Sequence, residues 1–244
     1  MKHSIIKIFF VLPLLFFLSA CENHADHNKL VVGLSAEYPP FEYRESGEFM
    51  GFDIDLAHAL GKKMNLEIEI KDMNFAALIP AIQYNNIDAA ISAISATEER
   101  RQNLAFSEKY YTNSIALLYL KDAPLTTAQM LEGKKIGAQL GSTMEIWAKE
   151  NAPAAQLVVM DVNPVLVESL KNKNIDAVVL EEKQAEEFYK QAPSEVAYTT
   201  IERTEEGYSI AVKKDSLLLP KINKALKELK EDGTLDKIQT KWIK

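Results

Sequence analysis

From Lys29 onward, short β-rich apolar runs alternate with segments of helical period, and this alternation constrains the fold most. Leu30 to Leu34 predicts a buried strand, and Ile54 to Met64 carries apolar residues at helical spacing. After Thr112 to Leu120 the same alternation starts again. Strands that alternate with helices are typical of α/β domains, so two such units in succession predict two lobes.

The remaining predicted elements follow the same pattern. Strands are predicted at Leu66 to Ile70, Ile87 to Ile94, Lys135 to Ala138, Leu157 to Met160, Ile175 to Leu180 and Ser209 to Lys213. Helices are predicted at Phe75 to Gln83, Ser142 to Glu150, Val165 to Lys171 and Leu219 to Leu229, the last ending at Gly233. Asp53 is placed as the N-cap of the first helix, and Asp55, Trp147 and Trp242 are interpreted as cap or packing residues.

The first twenty residues have the features of an export signal. Lys2 and Lys7 supply positive charge, and Ile5 to Leu18 is almost entirely apolar. Leu18-Ser19-Ala20-Cys21 resembles the lipobox of bacterial lipoproteins, in which Cys21 becomes the lipidated first residue. A chance cysteine near an ordinary cleavage site is the alternative. We expect an exported chain, anchored by lipid at the cell envelope, on its periplasmic face or on the outer face of the cell membrane.

Residues 21–28 are polar and predict a flexible tether. His24, Asp26 and His27 lie in it, but a mobile segment offers no closed coordination shell, so a solvated linker is favoured over a metal site. The sequence contains no phosphate-loop or dinucleotide-binding glycine motif. We therefore predict neither a metal nor a cofactor.

Charge and cysteine content exclude some classes of protein. Cys21 is the only cysteine, so the folded domain depends on its core rather than on a disulfide. Without the first twenty residues, 26 basic side chains face 35 acidic ones, a net charge of −9. This balance argues against a surface that binds nucleic acid.

Arg100 is the most informative candidate for a binding residue. It follows a predicted buried strand and lies in the charged first turn of a helix, within the segment Ala93 to Ser107. An arginine fork at such a turn can hold a carboxylate with two parallel hydrogen bonds, supported by turn amides and the helix dipole. A lone arginine there is more often a surface residue. The other motifs of the chain favour the ligand anchor.

These motifs occur in a fixed order along the chain. They are Tyr38-Pro39-Pro40-Phe41-Glu42, Gly51-Phe52-Asp53-Ile54-Asp55-Leu56, Phe75 to Pro80, Ile87-Asp88-Ala89, Thr97 to Phe106, Gly141-Ser142-Thr143, Ile175-Asp176-Ala177, Asp232-Gly233-Thr234 and Lys241-Trp242. Together they resemble the polar amino-acid-binding proteins of bacterial ABC importers, solute-binding protein family 3. Each motif is weak alone, and their number and order carry the resemblance from about Lys29 to the C-terminus.

The resemblance implies an α/β bilobal clamp of the type II periplasmic-binding-protein kind. Lobe one would comprise residues 29–113 and 207–244, and lobe two residues 114–206, after the signal at 1–20 and the tether at 21–28. Two hinge strands, Thr112 to Leu118 and Gly207 to Val212, would join the lobes, and a few backbone torsions there would absorb the closing motion.

The resemblance also implies a role for each candidate site residue. Arg100 would bind the α-carboxylate of the ligand together with the amides of Ser95 and Thr143, where Thr143 begins a helix after Ser142. Glu181 would bind the α-ammonium, helped by the Ser95 hydroxyl and the Ala93 carbonyl. Tyr38 and Phe75 would sandwich the ligand side chain.

Each of these residues has a structural alternative. Tyr38 and Phe75 are of a type that usually packs in a core. Ser142 and Thr143 serve equally well as a helix cap. Glu181, next to another glutamate, also suits a solvated acidic loop.

The identity of the ligand rests on a few side chains. Gln139 is placed as in many arginine-binding relatives, and Tyr38 and Phe75 can stack on a planar guanidinium. Ser35 stands where some relatives that bind basic amino acids carry an aspartate. Glu37 is close enough in sequence to offset a cationic side chain, although a turn glutamate usually points into solvent. We expect arginine or another basic amino acid, with glutamine or cystine as the alternatives.

The function implied by the resemblance is that of a monomeric, non-enzymatic receptor. It would deliver an amino acid to a membrane permease and its ATPase. A periplasmic dehydratase of the same fold, acting on prephenate or arogenate, and an amino-acid sensor lipoprotein are the alternatives. The candidate set binds a carboxylate and an ammonium but contains no obvious nucleophile or general base, which favours the receptor.

Overall fold

The computed structural model describes residues 28–205 and 207–243. The predicted export signal, Cys21 and the histidines of the tether lie outside the described residues. Within the described ranges, the chain forms two α/β lobes, as the alternation of strands and helices predicts. None of the helices in these ranges is long and apolar enough to span a membrane.

The elements follow one another along the chain in α/β order. The strands are β1 (Lys29–Leu34), β2 (Glu37–Tyr38), β3 (Glu42–Glu45), β4 (Glu48–Met50), β5 (Glu67–Asp72), β6 (Ala89–Ala90), β7 (Leu104–Phe106), β8 (Ser114–Leu120), β9 (Lys135–Gln139), β10 (Gln156–Met160), β11 (Ala177–Glu181), β12 (Val196–Arg203) and β13 (Ala211–Lys213). The helices are α1 (Phe52–Met64), α2 (Phe75–Gln83), α3 (Glu98–Asn103), α4 (Thr143–Asn151), α5 (Asn163–Lys171), α6 (Glu182–Gln191), α7 (Leu218–Glu231) and α8 (Thr234–Trp242), and Ala128–Leu131 forms a 3-10 turn.

Each lobe contains a five-stranded sheet with parallel strands at its centre. In lobe one the order is β5-β1-β6-β13-β7, where β1 runs parallel to β5 and β6, and β13 is antiparallel. In lobe two the order is β10-β9-β11-β8-β12, where β9 runs parallel to β10 and β11. Strands β2, β3 and β4 form a separate antiparallel sheet. Parallel strands are normally covered on both faces, which explains their continuous apolar runs.

Apolar side chains cover both faces of each sheet. In lobe one, Val32 and Leu226 belong to the cluster formed with α1, α7 and α8, and Leu78 and Ala90 belong to a second cluster formed with α2. In lobe two, Leu117 and Leu118 are neighbours on β8 that point into separate clusters. Both lobes therefore have their own core, and no disulfide is needed to hold either.

Two short connections join the lobes. The first, 107–113, leads from β7 to β8, and the second, 204–210, returns from β12 to β13. They contact each other at Tyr111 and Tyr208. The Tyr208 backbone N–H donates a hydrogen bond to the Tyr111 carbonyl, with an N to O distance of 2.8 Å. The predicted hinge ranges 112–118 and 207–212 are partly wrong, because 114–118 pairs inside the sheet of lobe two and 211–212 inside that of lobe one.

Three further expectations differ from the structure. Asp53 is not the N-cap of α1, because the helix begins at Phe52 after Gly51 and the Asp53 side chain points into the core. The predicted strand Ile87 to Ile94 shrinks to β6, since the chain turns out of the sheet toward the cleft at Ser92 and Ala93. Strand β12 was not predicted, although it forms the edge of the sheet in lobe two.

The residues interpreted as structural do pack as such. Asp55 accepts hydrogen bonds from Lys241 Nζ and Trp242 Nε1, both at 2.8 Å, and so ties α1 to α8. Trp147 is buried, and its Nε1 donates to Glu202 at 2.7 Å.

Candidate functional site

A narrow cavity lies between the two lobes and brings together residues that are far apart in sequence. Nine of the ten predicted site residues line it: Ser35, Tyr38, Phe75, Ala93, Ser95, Arg100, Gln139, Ser142 and Thr143. It is also lined by Glu37, Glu42, Ser92, Met144 and Tyr208. Glu181 is not among the lining residues.

Arg100 connects the two lobes across this cavity. The N-cap Thr97 accepts a hydrogen bond from the Arg100 backbone and so starts α3 at a point that directs the arginine inward. Arg100 Nη1 donates to the Ser95 carbonyl and Nη2 to the Gly141 carbonyl of lobe two, both at 2.8 Å. The guanidinium lies 5.5 Å from the centre of the Phe75 ring, a cation–π distance.

Burial changes the electrostatics of Arg100. Its exposure is only 7%, and desolvation lowers the pKa of its guanidinium to about 10, partly offset by Glu99. It remains a cation at neutral pH. Within the described residues its hydrogen bonds go to carbonyl oxygens rather than to a carboxylate, so its other N–H groups can bind an anion. The interpretation of Arg100 as an exposed surface residue is wrong.

The start of α4 supplies a second group that favours an anion. Ser142 Oγ caps the helix by accepting from the Glu145 N–H at 3.2 Å. Glu145 in turn accepts from the Gly141 N–H at 2.7 Å, which fixes the turn before the helix. Ser142, Thr143 and Met144, at this N-terminus, face the cavity. The first N–H groups of a helix have no partner within it, and the helix dipole attracts negative charge.

A buried pair of carboxyl groups supports the floor of the cavity in lobe one. Asp53 Oδ2 accepts from the Ala93 N–H at 2.7 Å and from the Tyr110 hydroxyl at 2.9 Å. These bonds hold Ala93 at a positive φ of 44°. Glu42 accepts from the Ser92 hydroxyl at 2.7 Å, and Ser92 Oγ accepts from the Ser35 N–H at 3.0 Å.

The two carboxyl groups cannot both be ionised easily. Burial raises the pKa of Glu42 well above its usual range, and the neighbouring Asp53 charge raises it further. Burial also raises the pKa of Asp53 to about 6, with the Ala93 and Tyr110 donors opposing that shift. At neutral pH the stable state is a protonated Glu42 beside an ionised Asp53.

Aromatic rings form the hinge side of the site. Tyr38 packs against Phe41 at a centroid distance of 6.0 Å, and Phe41 packs on Tyr208 at 5.2 Å. Tyr208 is only 1% exposed, and its hydroxyl has no hydrogen-bond partner within the described residues. This hydroxyl is therefore available to a polar ligand atom, because an unpartnered buried hydroxyl is costly.

Glu181 is a buried helix cap next to the cavity, close enough for its charge to act on Tyr38 and Tyr208. It ends β11, and its Oε2 accepts from the N–H groups of Lys183 and Gln184 at 2.8 and 3.3 Å, so it caps α6. Burial raises its pKa to about 8 despite these donors. The solvated acidic loop considered for Glu181 is wrong, since the residue is 1% exposed.

Glu37 crosses the cleft instead of pointing into solvent. Its Oε1 accepts from Gln139 Nε2 at 2.6 Å, and its Oε2 accepts from the Asn163 N–H at 3.1 Å. Both donors belong to lobe two. Burial raises the pKa of Glu37 to about 8, and the Asp72 charge adds to the shift. The expectation of a solvent-facing turn glutamate is wrong.

Sequence analysis missed Glu42, Ser92, Met144 and Tyr208 as cavity residues. Glu42 ends one of the motifs and Ser92 directly precedes Ala93, and their polarity beside buried apolar residues was a usable signal. Tyr208 belongs to the second connection, 204–210, and it lines the cavity only because that connection passes next to the cavity. No local pattern in the sequence indicates that position.

Comparison with known proteins agrees with this fold. Residues 30–244 match the family model of the bacterial extracellular solute-binding proteins, family 3. The arginine-binding extracellular protein ArtP of Bacillus subtilis (strain 168) is 37% identical over 237 residues, covering 93% of each chain.

Solved structures give the same assignment. An ancestral arginine-binding protein bound to arginine is 39% identical, with a TM-score of 0.86, and the match covers 89% of this chain and 99% of that one. An ancestral arginine-binding protein bound to glutamine gives a TM-score of 0.85 at 40% identity, over 88% and 98% of the two chains. With the same two-lobed fold and a family match over almost the whole described chain, this protein belongs to the bacterial extracellular solute-binding proteins, family 3.

Proposed function

We propose that this protein is the substrate-binding lipoprotein of an ABC amino-acid importer and that its ligand is arginine or another basic amino acid. The observation that carries the proposal is that one cavity is lined by a buried arginine and a buried glutamate, neither of which has an ionic partner among the described residues. Arg100 offers donors for a carboxylate, and Glu37 offers a carboxylate that has no basic partner among the described residues. An amino acid with a cationic side chain supplies a carboxylate for Arg100 and a cation for Glu37.

The α-carboxylate binds between Arg100 and the start of α4. In this arrangement the guanidinium and the Thr143 N–H donate to the carboxylate from opposite lobes, and the Ser95 N–H completes the set. Because each buried charge needs a partner, a ligand that satisfies both lobes stabilises the closed clamp.

The α-ammonium binds on the hinge side of the cavity. The Ser95 hydroxyl, the Ala93 carbonyl and the Tyr208 hydroxyl are the acceptors that line this region. Glu181 lies next to this region, and because its cap on α6 uses only Oε2, its Oε1 can face the ammonium without loss of the cap. Tyr38 and Phe75 enclose the side chain of the ligand.

The chain acts as a receptor rather than an enzyme. Among the described residues, those that line the cavity include no histidine, cysteine or lysine. The solved ancestral proteins with the same fold are bound to arginine and to glutamine. Cys21 anchors the exported monomer at the cell envelope, and the closed form presents the ligand to the permease and its ATPase.

A ligand screen tests the proposal. The domain from Asn28 onward is melted with each of the twenty amino acids, with ornithine and with cystine, and hits are measured by calorimetry. Ligand that binds only the folded state raises the melting temperature. We expect the largest shift with arginine or another basic amino acid. Glutamine or cystine binding tenfold tighter than arginine, about 1.4 kcal/mol, contradicts the ligand class. Turnover of prephenate or arogenate contradicts the receptor.

A further inference from the structure

We infer that Glu37 is a charge-selective latch: one carboxylate both holds the two lobes together and selects a ligand with a cationic side chain. This inference rests on the proposed function, because it names the residue through which that site distinguishes basic from neutral amino acids. The argument depends on the contacts of Glu37, on the helix it meets and on the charges around it.

The contacts of Glu37 join the lobes directly. Glu37 lies on β2 in lobe one, held by a hydrogen bond from its N–H to the Ser35 carbonyl at 2.8 Å. Its two carboxylate oxygens accept from different elements of lobe two, one from Gln139 at the end of β9 and one from Asn163 at the start of α5. Opening the cleft must break both bonds, so they belong to the closed form only.

Helix α5 depends on this contact for its cap. Its N-cap residue is Val162, which provides no side-chain hydrogen bond. The Asn163 N–H at the first helical position donates to Glu37 instead. A carboxylate at a helix N-terminus is stabilised by the unpaired N–H groups and by the helix dipole. Lobe one therefore supplies a capping group that lobe two lacks.

Gln139 is oriented for the same contact. Its Nε2 also donates to the Asp161 carbonyl at 3.0 Å, and its Oε1 accepts from Asn163 Nδ2 at 3.2 Å. This arrangement turns the amide N–H groups toward Glu37 and leaves the amide oxygen turned away. The donors that Glu37 meets on closure are thus preorganised in lobe two.

The charge of Glu37 is not neutralised by the described residues. The titratable groups that interact with it are Asp72, Glu42 and Tyr38, and none of them is a base. Arg44 pairs with Asp72 at 3.0 Å and lies over the Phe49 ring. Two neutral donors do not offset burial, and the pKa of Glu37 is raised to about 8. The missing partner is a cation, and the cavity that Glu37 lines is the place from which one can come.

The uncharged side chain of Ser35 supports the assignment of Glu37 as the residue that selects a cation. It lines the cavity two residues before Glu37 and is 4% exposed, but its hydroxyl carries no charge. Glu37 is therefore the carboxylate of this turn that faces the cleft. Closing around a neutral side chain leaves that carboxylate without a partner or forces it to take up a proton, and closing around a cation does neither.

Calorimetry with two variants separates the charge from the latch. Glu37→Gln keeps a hydrogen-bonding side chain of the same size, and Glu37→Ala removes it. For Glu37→Gln we expect arginine affinity to fall about 10- to 100-fold, the range of a charge-assisted hydrogen bond, and glutamine affinity to fall less, because the amide keeps only one of the two acceptors. For Glu37→Ala we expect the affinity for both ligands to fall. Glu48→Gln, an exposed glutamate on β4, is the matched control and should change neither.

The outcomes distinguish this inference from the proposed function. If the unmodified protein binds arginine but Glu37→Gln leaves the arginine-to-glutamine preference unchanged, the latch is wrong and the receptor stands. If Glu37→Ala binds glutamine as tightly as the unmodified protein, Glu37 does not contribute to closure. If the unmodified protein binds no amino acid, the proposed function fails and this inference fails with it.

Discussion

At the scale of single residues, Arg100 is informative because its surroundings oppose its charge. It is buried, and the pKa of its guanidinium is lowered by desolvation, but it bonds only to carbonyl oxygens in the described residues. A structural arginine of this kind would normally pair with a carboxylate. We expect that partner to be the anionic group of a reversibly bound ligand.

Arg100→Ala should abolish binding of arginine and of glutamine alike, because both share the α-carboxylate. The loss should be about 3–5 kcal/mol, as for breaking a buried charge pair. Arg101→Ala is the matched control, since Arg101 is an exposed neighbour on α3. Calorimetry gives the affinities, and circular dichroism checks the fold. Near-normal affinity of a folded Arg100→Ala protein contradicts the assignment.

Glu42 and Asp53 should respond differently to loss of a carboxyl group. The protonated Glu42 donates a side-chain hydrogen bond to Asp53. Glu42→Gln replaces this acid by an amide of the same shape that can still donate to Asp53, so its cost should stay within about 1 kcal/mol. Asp53→Asn removes the charge that accepts from Ala93 and Tyr110, and should cost about 1.5–3 kcal/mol. Urea denaturation at pH 7 measures both. Equal costs would rule out our assignment of the shared proton.

At the scale of elements, the two lobes meet where α2 faces the turn before α4. Gly141 has a positive φ of 74°, and a Cβ placed there would lie 3.4 Å from Ala76 on α2. The same glycine presents its carbonyl to Arg100. Small residues at this point allow the helix of one lobe and the turn of the other to approach closely enough to complete the site.

Ala76→Leu should hold the cleft partly open without straining the backbone. Overpacking a close contact costs about 1–3 kcal/mol, so ligand affinity should fall about tenfold or more. Small-angle scattering with saturating ligand should give a larger radius of gyration than for the unmodified protein. Ala77→Leu, at the exposed neighbouring position, should leave affinity and radius unchanged. A tightly binding, fully closed Ala76→Leu protein would show that this contact does not limit closure.

At the scale of the whole molecule, we expect closure of the cleft to couple the charge of the ligand side chain to the protonation of Glu37. In the closed cleft, Asp72, Tyr38 and Glu42 are the titratable groups whose charges interact with Glu37, and Gln139 and Asn163 are its donors. With no cation bound, the pKa of Glu37 is raised to about 8. A complex with a neutral ligand is therefore fully stable below the ordinary glutamate pKa, and it loses stability as pH rises toward about 8.

The preference for arginine over glutamine should consequently rise with pH and level off above about pH 8. Arginine keeps Glu37 ionised, so its complex does not suffer this loss. The ratio of the two affinities can change by about tenfold per pH unit at most. Calorimetry at several pH values gives the ratio of affinities. A ratio that is flat from pH 5 to pH 8, or one that Glu37→Gln does not flatten, contradicts the mechanism.

Cys21→Ser should release the protein from the membrane without changing its ligand affinity. Each buried methylene of an attached lipid contributes about 0.8 kcal/mol to membrane binding, whereas the polar tether contributes little. Fractionation of cells that carry the variant measures the release. Membrane association that survives the substitution would mean that another segment anchors the chain.

The sequence alone determined the features that depend on local pattern. The alternation of apolar runs and helical segments predicted two α/β lobes, because periodicity decides which face of each element is buried. Arg100 was identified as a candidate because a helix start has the same physical consequences wherever it is placed, and Thr143 was identified through the resemblance of its motif. Tyr38 and Phe75 were identified through motifs that occur in this chain in the same order as in the family.

Only the tertiary structure decided which side chains meet across the cleft. Glu37 contacts residues 102 and 126 positions further along the chain, and no local pattern could tell that contact from a solvent-facing turn. Glu181 was assigned to the ligand from its motif alone, and its cap on α6 appeared only in the folded chain. Asp53 was taken for a cap, but its partners Ala93 and Tyr110 lie 40 and 57 residues away. A buried charge takes the donors that folding brings to it, and that choice is made only when distant segments pack together.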